Sequence, residues 1–284
     1  PSFFCQLKGH QEALNILQFC IKSGEGFIKI VGEVGSGKTL LCRKLLDSLS
    51  EEYVTAYIPN PDLTPVELRK AFARELHLDP TESHDQHELV ASINQHLIDL
   101  HAAQKKVVLI VDEAQALSDE SLETLRLLTN LETENSKLMQ VVLFGQPELD
   151  ERLNKSHLRQ LKQRISFSYN LPLMNKEDLE VYLNHRLAVA GHTHSQLFTK
   201  KAQKMLFNAS RGIPRIVNIL SHKALLVAYG RGNKQIDHIS MRLAVNDTET
   251  TRAMSLNRLV KWTLLFTACV GVAYIAASLL GDTL

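Results

Sequence analysis

Cysteine is scarce in this 284-residue chain, with Cys5, Cys20, Cys42 and Cys269 scattered and no C-x-x-C spacing. That scarcity excludes a disulfide framework and a zinc module as organising devices, and it fits a reduced, cytoplasmic compartment. An excess of either charge is also missing. Lys and Arg number 32 against 31 Asp and Glu, a formal net charge of +1, so no global field draws the protein onto nucleic acid or an anionic membrane. No internal repeat, low-complexity tract or N-terminal signal peptide is legible. The first residue is Pro1 rather than Met, the mark of a fragment or a processed product. What remains is ordinary globular material, 44% hydrophobic and 22% charged, enough to bury the core of one large domain or two unequal ones.

One absence is local. From Trp262 to Leu280 no residue is charged, a run of 19. As a helix it spans roughly 28 Å, close to the hydrocarbon thickness of a bilayer. A buried core helix of that length normally shows a polar stripe. Here only Thr263, Thr267 and Ser278 interrupt the run. Arg252, Arg258 and Lys261 precede it, so the positive-inside bias predicts a single-pass membrane helix over 262–281 with everything before it in the cytoplasm.

Upstream, helical and strand patterns alternate, which predicts an α/β fold around a parallel sheet. The pattern predicts strands at Phe27–Val31, Tyr53–Ile58, Val107–Val111, Gln140–Phe144 and Ile165–Leu171. Helices fall at His10–Ser23, Lys38–Leu49, Thr64–Leu76, Leu89–Ala103 and Leu117–Leu131. After Pro172 the pattern is purely helical. The expected division is a nucleotide-binding domain over 1–172, a small helical domain over 173–247, a polar linker over 248–261, then the membrane segment.

Gly32-Glu33-Val34-Gly35-Ser36-Gly37-Lys38-Thr39 satisfies G-x-x-x-x-G-K-[ST], following a strand and opening a helix. Backbone N–H groups of such a loop close around phosphates, and the helix dipole assists. Lys38 is expected to reach the β- and γ-phosphates, and Thr39 to bind Mg²⁺. A dinucleotide fingerprint does not fit, because Lys38 and Thr39 stand where its third glycine is needed. The strand Val107–Val111 ends in Asp112 and Glu113. Asp112 is the candidate for the Mg²⁺ shell and Glu113 for the base that activates water. Gln146 follows the next strand and can sense the γ-phosphate, although an ordinary turn before Pro147 would look the same. Arg164, or else Arg159, can act as a finger toward a neighbouring subunit's nucleotide. Arg215, at the start of a helix after Pro214, can reach back to the γ-phosphate of its own subunit.

These stretches resemble the AAA+ ATPases of the ExeA/GspA type, in particular their pilus-biogenesis members. The resemblance runs from about Gly9 to Val245. It is carried by Gly24-Glu25-Gly26-Phe27, Asp112-Glu113-Ala114-Gln115, Leu143-Phe144-Gly145-Gln146-Pro147-Glu148-Leu149, Lys162-Gln163-Arg164-Ile165 and Gly212-Ile213-Pro214-Arg215-Ile216-Val217-Asn218. It implies a five-stranded P-loop αβα sandwich followed by a helical lid. It implies ATP with Mg²⁺, Lys38 and Thr39 as Walker A, Asp112 and Glu113 as Walker B, and Gln146 as sensor 1. Arg164 becomes the finger and Arg215 sensor 2. It further implies a ring-like homo-oligomer on a bacterial inner membrane, serving a type IV pilus or a type II secretion-like apparatus, with no specific nucleic acid. The alternatives are an ATP-dependent DNA-binding helper of the transposition type and a scaffold with a dead nucleotide site. The family's usual segment before the first helix is missing. The chain also stops four residues after Leu280, where ExeA-like members carry a peptidoglycan-binding domain, so direct cell-wall binding is not expected.

Overall fold

The computed structural model describes residues 5–79, 85–129, 132–133, 136–192 and 196–248. The expected linker beyond Thr248 and the apolar run 262–280 lie outside these residues. Among the described residues, no helix is long and apolar enough to cross a membrane.

Runs of β-branched and apolar residues build one parallel sheet from β1 (Phe27–Val31), β2 (Tyr53–Ile58), β3 (Lys106–Val111), β6 (Met139–Gly145) and β7 (Ile165–Asn170). A separate two-residue antiparallel pair joins β4 (Glu132–Thr133) to β5 (Ser136–Lys137). The order in the large sheet is β2-β3-β6-β1-β7. The three inner strands are apolar almost throughout because both their faces are covered. The edge strand β7 alternates between half-buried and exposed residues, as a one-sided edge must.

The helices of the first compact unit are α1 (Lys8–Lys22), α2 (Lys38–Ser48), α3 (Pro65–Glu75), α4 (Gln86–Ala102), α5 (Asp119–Leu128), α6 (Pro147–Leu153), α7 (Arg159–Arg164) and α8 (Lys176–Val189). On one face of the sheet Ile28, Ile30, Ile110, Val142 and Phe144 meet α1 and α2 through Leu17, Ile21, Leu41 and Leu45. On the other, Phe27, Leu109, Val141 and Leu143 meet the layer of α3, α4 and α5 through Phe72, Ile93 and Leu125. The result is the expected αβα sandwich.

Local chemistry sets the helix ends. Thr64 and Glu67 form the reciprocal capping box ahead of α3, with Pro65 in its first turn. Helix α5 starts at Asp119 rather than Leu117, because Ser118 caps it and Ala114–Ala116 forms a separate 3₁₀ turn. It stops at Leu128, three residues short of the expected end. The sequence signals only a turn at Pro147, yet proline at a first helical position starts α6.

Among the described residues, this first unit runs from 5 to 192 and takes in 213–215. It extends past the boundary expected at 172, because α8 belongs with it. Helical periodicity announces α8 but not the core it joins. Among the described residues, the second unit comprises 196–212 and 216–248. It is built from α9 (Lys200–Ser210), α10 (Pro214–Gly230, whose first two residues belong to the first unit) and α11 (His238–Asn246). Its core gathers Leu206, Val217, Leu220, Ala224, Met241 and Ala244.

Candidate active site

β1, β6 and β3 are neighbours in the sheet, so the segments that leave their C-terminal ends share one edge. That edge of an open parallel sheet is where ligands bind. β1 leads into the loop Gly32–Thr39, β3 into Asp112 and Glu113, and β6 into Gln146. Three segments distant in sequence therefore converge on one crevice.

The loop has the shape its glycines permit. Gly35 (φ 78°) and Gly37 (φ 102°) lie in the left-handed region. A Cβ on Gly35 would come within 2.5 Å of the Arg215 Cβ, and one on Gly37 within 2.9 Å of the His10 Nε2. Both contacts are real features of the loop. The Arg215 N–H donates to the Gly35 carbonyl at 3.2 Å, and the His10 ring nitrogen lies 2.9 Å from the Ser36 carbonyl oxygen. The Lys38 Nζ donates to the carbonyls of Gly32 (2.8 Å) and Glu33 (3.0 Å) and is nearly buried. Burial lowers the Lys38 pKa, and the carboxylates of Glu113 and Asp112 work against that drop. Glu33 and Val34 are exposed at the loop's crest. The Ser36 hydroxyl is buried without a hydrogen-bond partner.

Asp112 is buried, and that desolvation raises its pKa despite hydrogen bonds from the Thr39 side chain and the Glu113 N–H. A hydroxyl and a carboxylate in contact are the hard oxygen donors that Mg²⁺ selects, so these two residues fit a bound Mg²⁺. Glu113 adopts a left-handed conformation (φ 52°, ψ 39°). Its Oε2 accepts from the Gln146 Nε2 at 2.8 Å and from the Gln115 Nε2 at 2.6 Å. The Gln146 N–H in turn donates to the Gln115 Oε1 at 3.0 Å. Burial pushes the Glu113 pKa up, but the two amides and Lys38 outweigh it and hold the carboxyl below its usual range.

The structure thus brings Lys38, Thr39, Asp112, Glu113 and Gln146 together, with Arg215 against the loop. Arg164 stands elsewhere. It is half-buried at the end of α7 and donates to the Thr129 hydroxyl at 3.2 Å, at the C-terminus of α5. Arg159, at the start of α7, is exposed.

Three residues carry structure that sequence reasoning missed. Gln115 stands in the matching stretch Asp112–Gln115 but was assigned no role there. His10 looks like one more residue of an amphipathic helix; burial lowers its pKa against the pull of the Ser36 carbonyl and Asp178. Arg152 of α6 clamps the segment behind Glu113. Its guanidinium donates to the Gln115 carbonyl at 2.8 Å, to the Leu117 carbonyl and to Asp119. That donation, joined by His157 and Lys155, holds the Asp119 carboxyl far below the usual carboxylate range. Lys29, buried in β1, pairs with Asp150 and ties α6 to the central sheet.

Residues 21–153 match the AAA domain family. The chain is 42% identical over 252 residues to general secretion pathway protein A of Aeromonas hydrophila, covering 89% of this chain and 46% of that protein. It therefore spans about half the length of that relative. Among solved structures, the ORC2 protein of Aeropyrum pernix, in its ADPNP and ADP complexes, superposes with a TM-score of 0.55 at 19% identity, over 87% of this chain and 71% of that one. Drosophila ORC bound to DNA superposes with a TM-score of 0.63 at 16% identity, over 85% and 60%. At such identities these structures share the fold and no more.

Proposed function

From a chain whose residues 21–153 match the AAA domain and whose curated relative is a secretion pathway protein, we propose an ATPase that serves envelope assembly. The observation that carries it is the convergence of Lys38, the Thr39–Asp112 pair and the amide-held Glu113 at one edge of the sheet. Lys38 and the loop N–H groups hold the β- and γ-phosphates of ATP. Glu113, kept ionised and fixed by Gln115 and Gln146, orients the attacking water and accepts its proton. Gln146 senses the γ-phosphate. Thr39 and Asp112 would hold Mg²⁺, which would supply charge neutralisation at the phosphates. Arg215 acts within its own subunit, and Arg164 acts on a neighbour's nucleotide in a ring-like homo-oligomer.

The wider role follows the relative and the sequence. The run 262–280 anchors the chain in a bacterial inner membrane with the ATPase on the cytoplasmic side. The motifs resemble the pilus-biogenesis protein MshM, so the work done is assembly of a type IV pilus or a type II secretion-like apparatus. The test is a pair of variants. Lys38→Ala should lose tight ATP binding. Glu113→Gln should bind ATP and fail to hydrolyse it, losing at least about 10²-fold in turnover. Wild-type turnover in Glu113→Gln would remove Glu113 from its assigned role.

A further inference from the structure

The second unit is far from neutral although the chain is. In residues 196–212 and 216–248, eight Lys and Arg, from Lys200 to Arg242, stand against Asp237 and Asp247, and Glu is absent. That is a net +6 in a chain whose total is +1, leaving −5 for the rest. Both aspartates are engaged: Lys223 lies 2.8 Å from Asp247 and Arg231 3.2 Å from Asp237. The described residues of this unit hold no third Asp and no Glu, so its net charge stays positive.

The same unit carries an exposed apolar surface. α10 buries Val217, Leu220, Ala224 and Ala228, while Leu226 is 56% and Tyr229 83% exposed. Positions 219, 222, 226 and 229 follow the helical period, so Ile219, His222, Leu226 and Tyr229 form one outward stripe. The stripe runs into the turn that carries Arg231 and Lys234, both exposed. On α11, Ile239, Arg242 and Leu243 are exposed at i, i+3 and i+4, a basic residue between two apolar ones. Single exposed apolar residues are ordinary; a stripe flanked by basic side chains marks an interaction surface.

Aliphatic and aromatic tips among Lys and Arg suit the boundary between headgroups and acyl chains of an anionic bilayer. Nucleic acid would answer the charge but not the exposed leucines. The sequence supplies the proximity. Thirteen residues separate Thr248 from Trp262, a tether of at most about 47 Å. We propose that the outward face of α10 and α11 docks on anionic phospholipid of the membrane that holds 262–280. The inference rests on the anchor proposed above.

The full chain with Tyr229→Cys and Cys269→Ser would carry an environment-sensitive fluorophore at position 229, since Cys5, Cys20 and Cys42 are buried. It would be reconstituted in vesicles of phosphatidylcholine alone, or with about a third phosphatidylglycerol. The expected result is a blue-shifted emission, quenched by brominated acyl chains, only where phosphatidylglycerol is present. Adding Lys234→Glu and Arg242→Glu should weaken binding to the phosphatidylglycerol vesicles roughly tenfold. ATP turnover of the labelled chain shows that the fold is intact. Flotation with pure phosphatidylcholine vesicles reads the anchor separately; a chain that fails to float refutes the anchor while the anionic vesicles still report on the surface. Identical spectra in both vesicle types overturn the docking proposal. A shift that tracks protein density in phosphatidylcholine assigns the face to a second copy, one that follows added duplex DNA assigns it to nucleic acid, and either overturns the proposal as well.

Discussion

At the scale of single residues, the site turns on how the Glu113 carboxylate is held. Gln115 and Gln146 share one carboxylate oxygen and are bonded to each other. General-base chemistry contributes roughly 10²–10⁴ in rate, so Gln115→Leu should cost at least about tenfold in kcat by letting the base drift. ATP affinity should be unchanged, and the loss should vanish in a Glu113→Gln background, where no base is left to position. Additive losses in steady-state kinetics would show that Gln115 acts by another route. His10 gives a test by pH. Its folded pKa is depressed by burial, so its contribution to stability is complete above the unfolded value of about 6.5 and is lost as pH falls through the folded pKa. His10→Gln keeps a donor for the Ser36 carbonyl and does not titrate. Thermal melts should therefore show a flatter decline below pH ~6.5 for the variant than for the parent chain. The convergence of Lys38, Thr39, Asp112 and Glu113 was legible because a Gly-rich loop after one strand and paired carboxylates after another have fixed spacings in the sequence. Gln115 and His10 were not, because a hydrogen bond between loops leaves no period in the sequence.

At the scale of elements, most strands and helices follow from apolar runs and caps, and the misses share a cause. Helix α6 is short, so its apolar periodicity is too brief to read, and Pro147 signals a turn and a helix start alike. The early stop of α5, with Thr129 as its C-cap, has no glycine or proline to signal it. α6 nonetheless matters to the site, since Arg152 fastens the segment behind Glu113 and Asp150 reaches Lys29 in β1. The loop between β1 and α2 is equally constrained. Gly35→Ala would force a side chain into a positive φ and against Arg215 at 2.5 Å. A left-handed non-glycine residue costs roughly 1–2 kcal/mol before the clash is counted. Calorimetric titration with a non-hydrolysable ATP analogue should show binding weakened by at least about tenfold. Unchanged affinity would mean that the loop and the Arg215 backbone part without cost.

At the scale of the whole molecule, the proposed chemistry needs more than one copy. Arg164 is bonded to Thr129 of its own chain and remains half-buried, while Arg159 is exposed on the same short helix. Arginine fingers contribute roughly 10³–10⁵ in rate, so specific ATPase activity should rise with protein concentration. Arg164→Ala should bind ATP without turning it over, and mixing it with Glu113→Gln should restore part of the rate. If mixtures stay silent while Arg159→Ala abolishes turnover, the finger passes to Arg159. The order of the strands has a consequence for how the chain is made. β6 lies between β1 and β3, and Phe27 pairs with Val141 across more than a hundred residues. Neither the loop strand nor the carboxylate strand meets its inner neighbour until Gly145 has left the ribosome. At about 5–20 residues per second, β1 waits roughly 6–23 s with that edge open. During that interval the nascent chain exposes two apolar strand edges to every other chain nearby. Slowing synthesis just upstream of Met139 should therefore lower the yield of soluble protein, and the same pause placed after Gly145 should not.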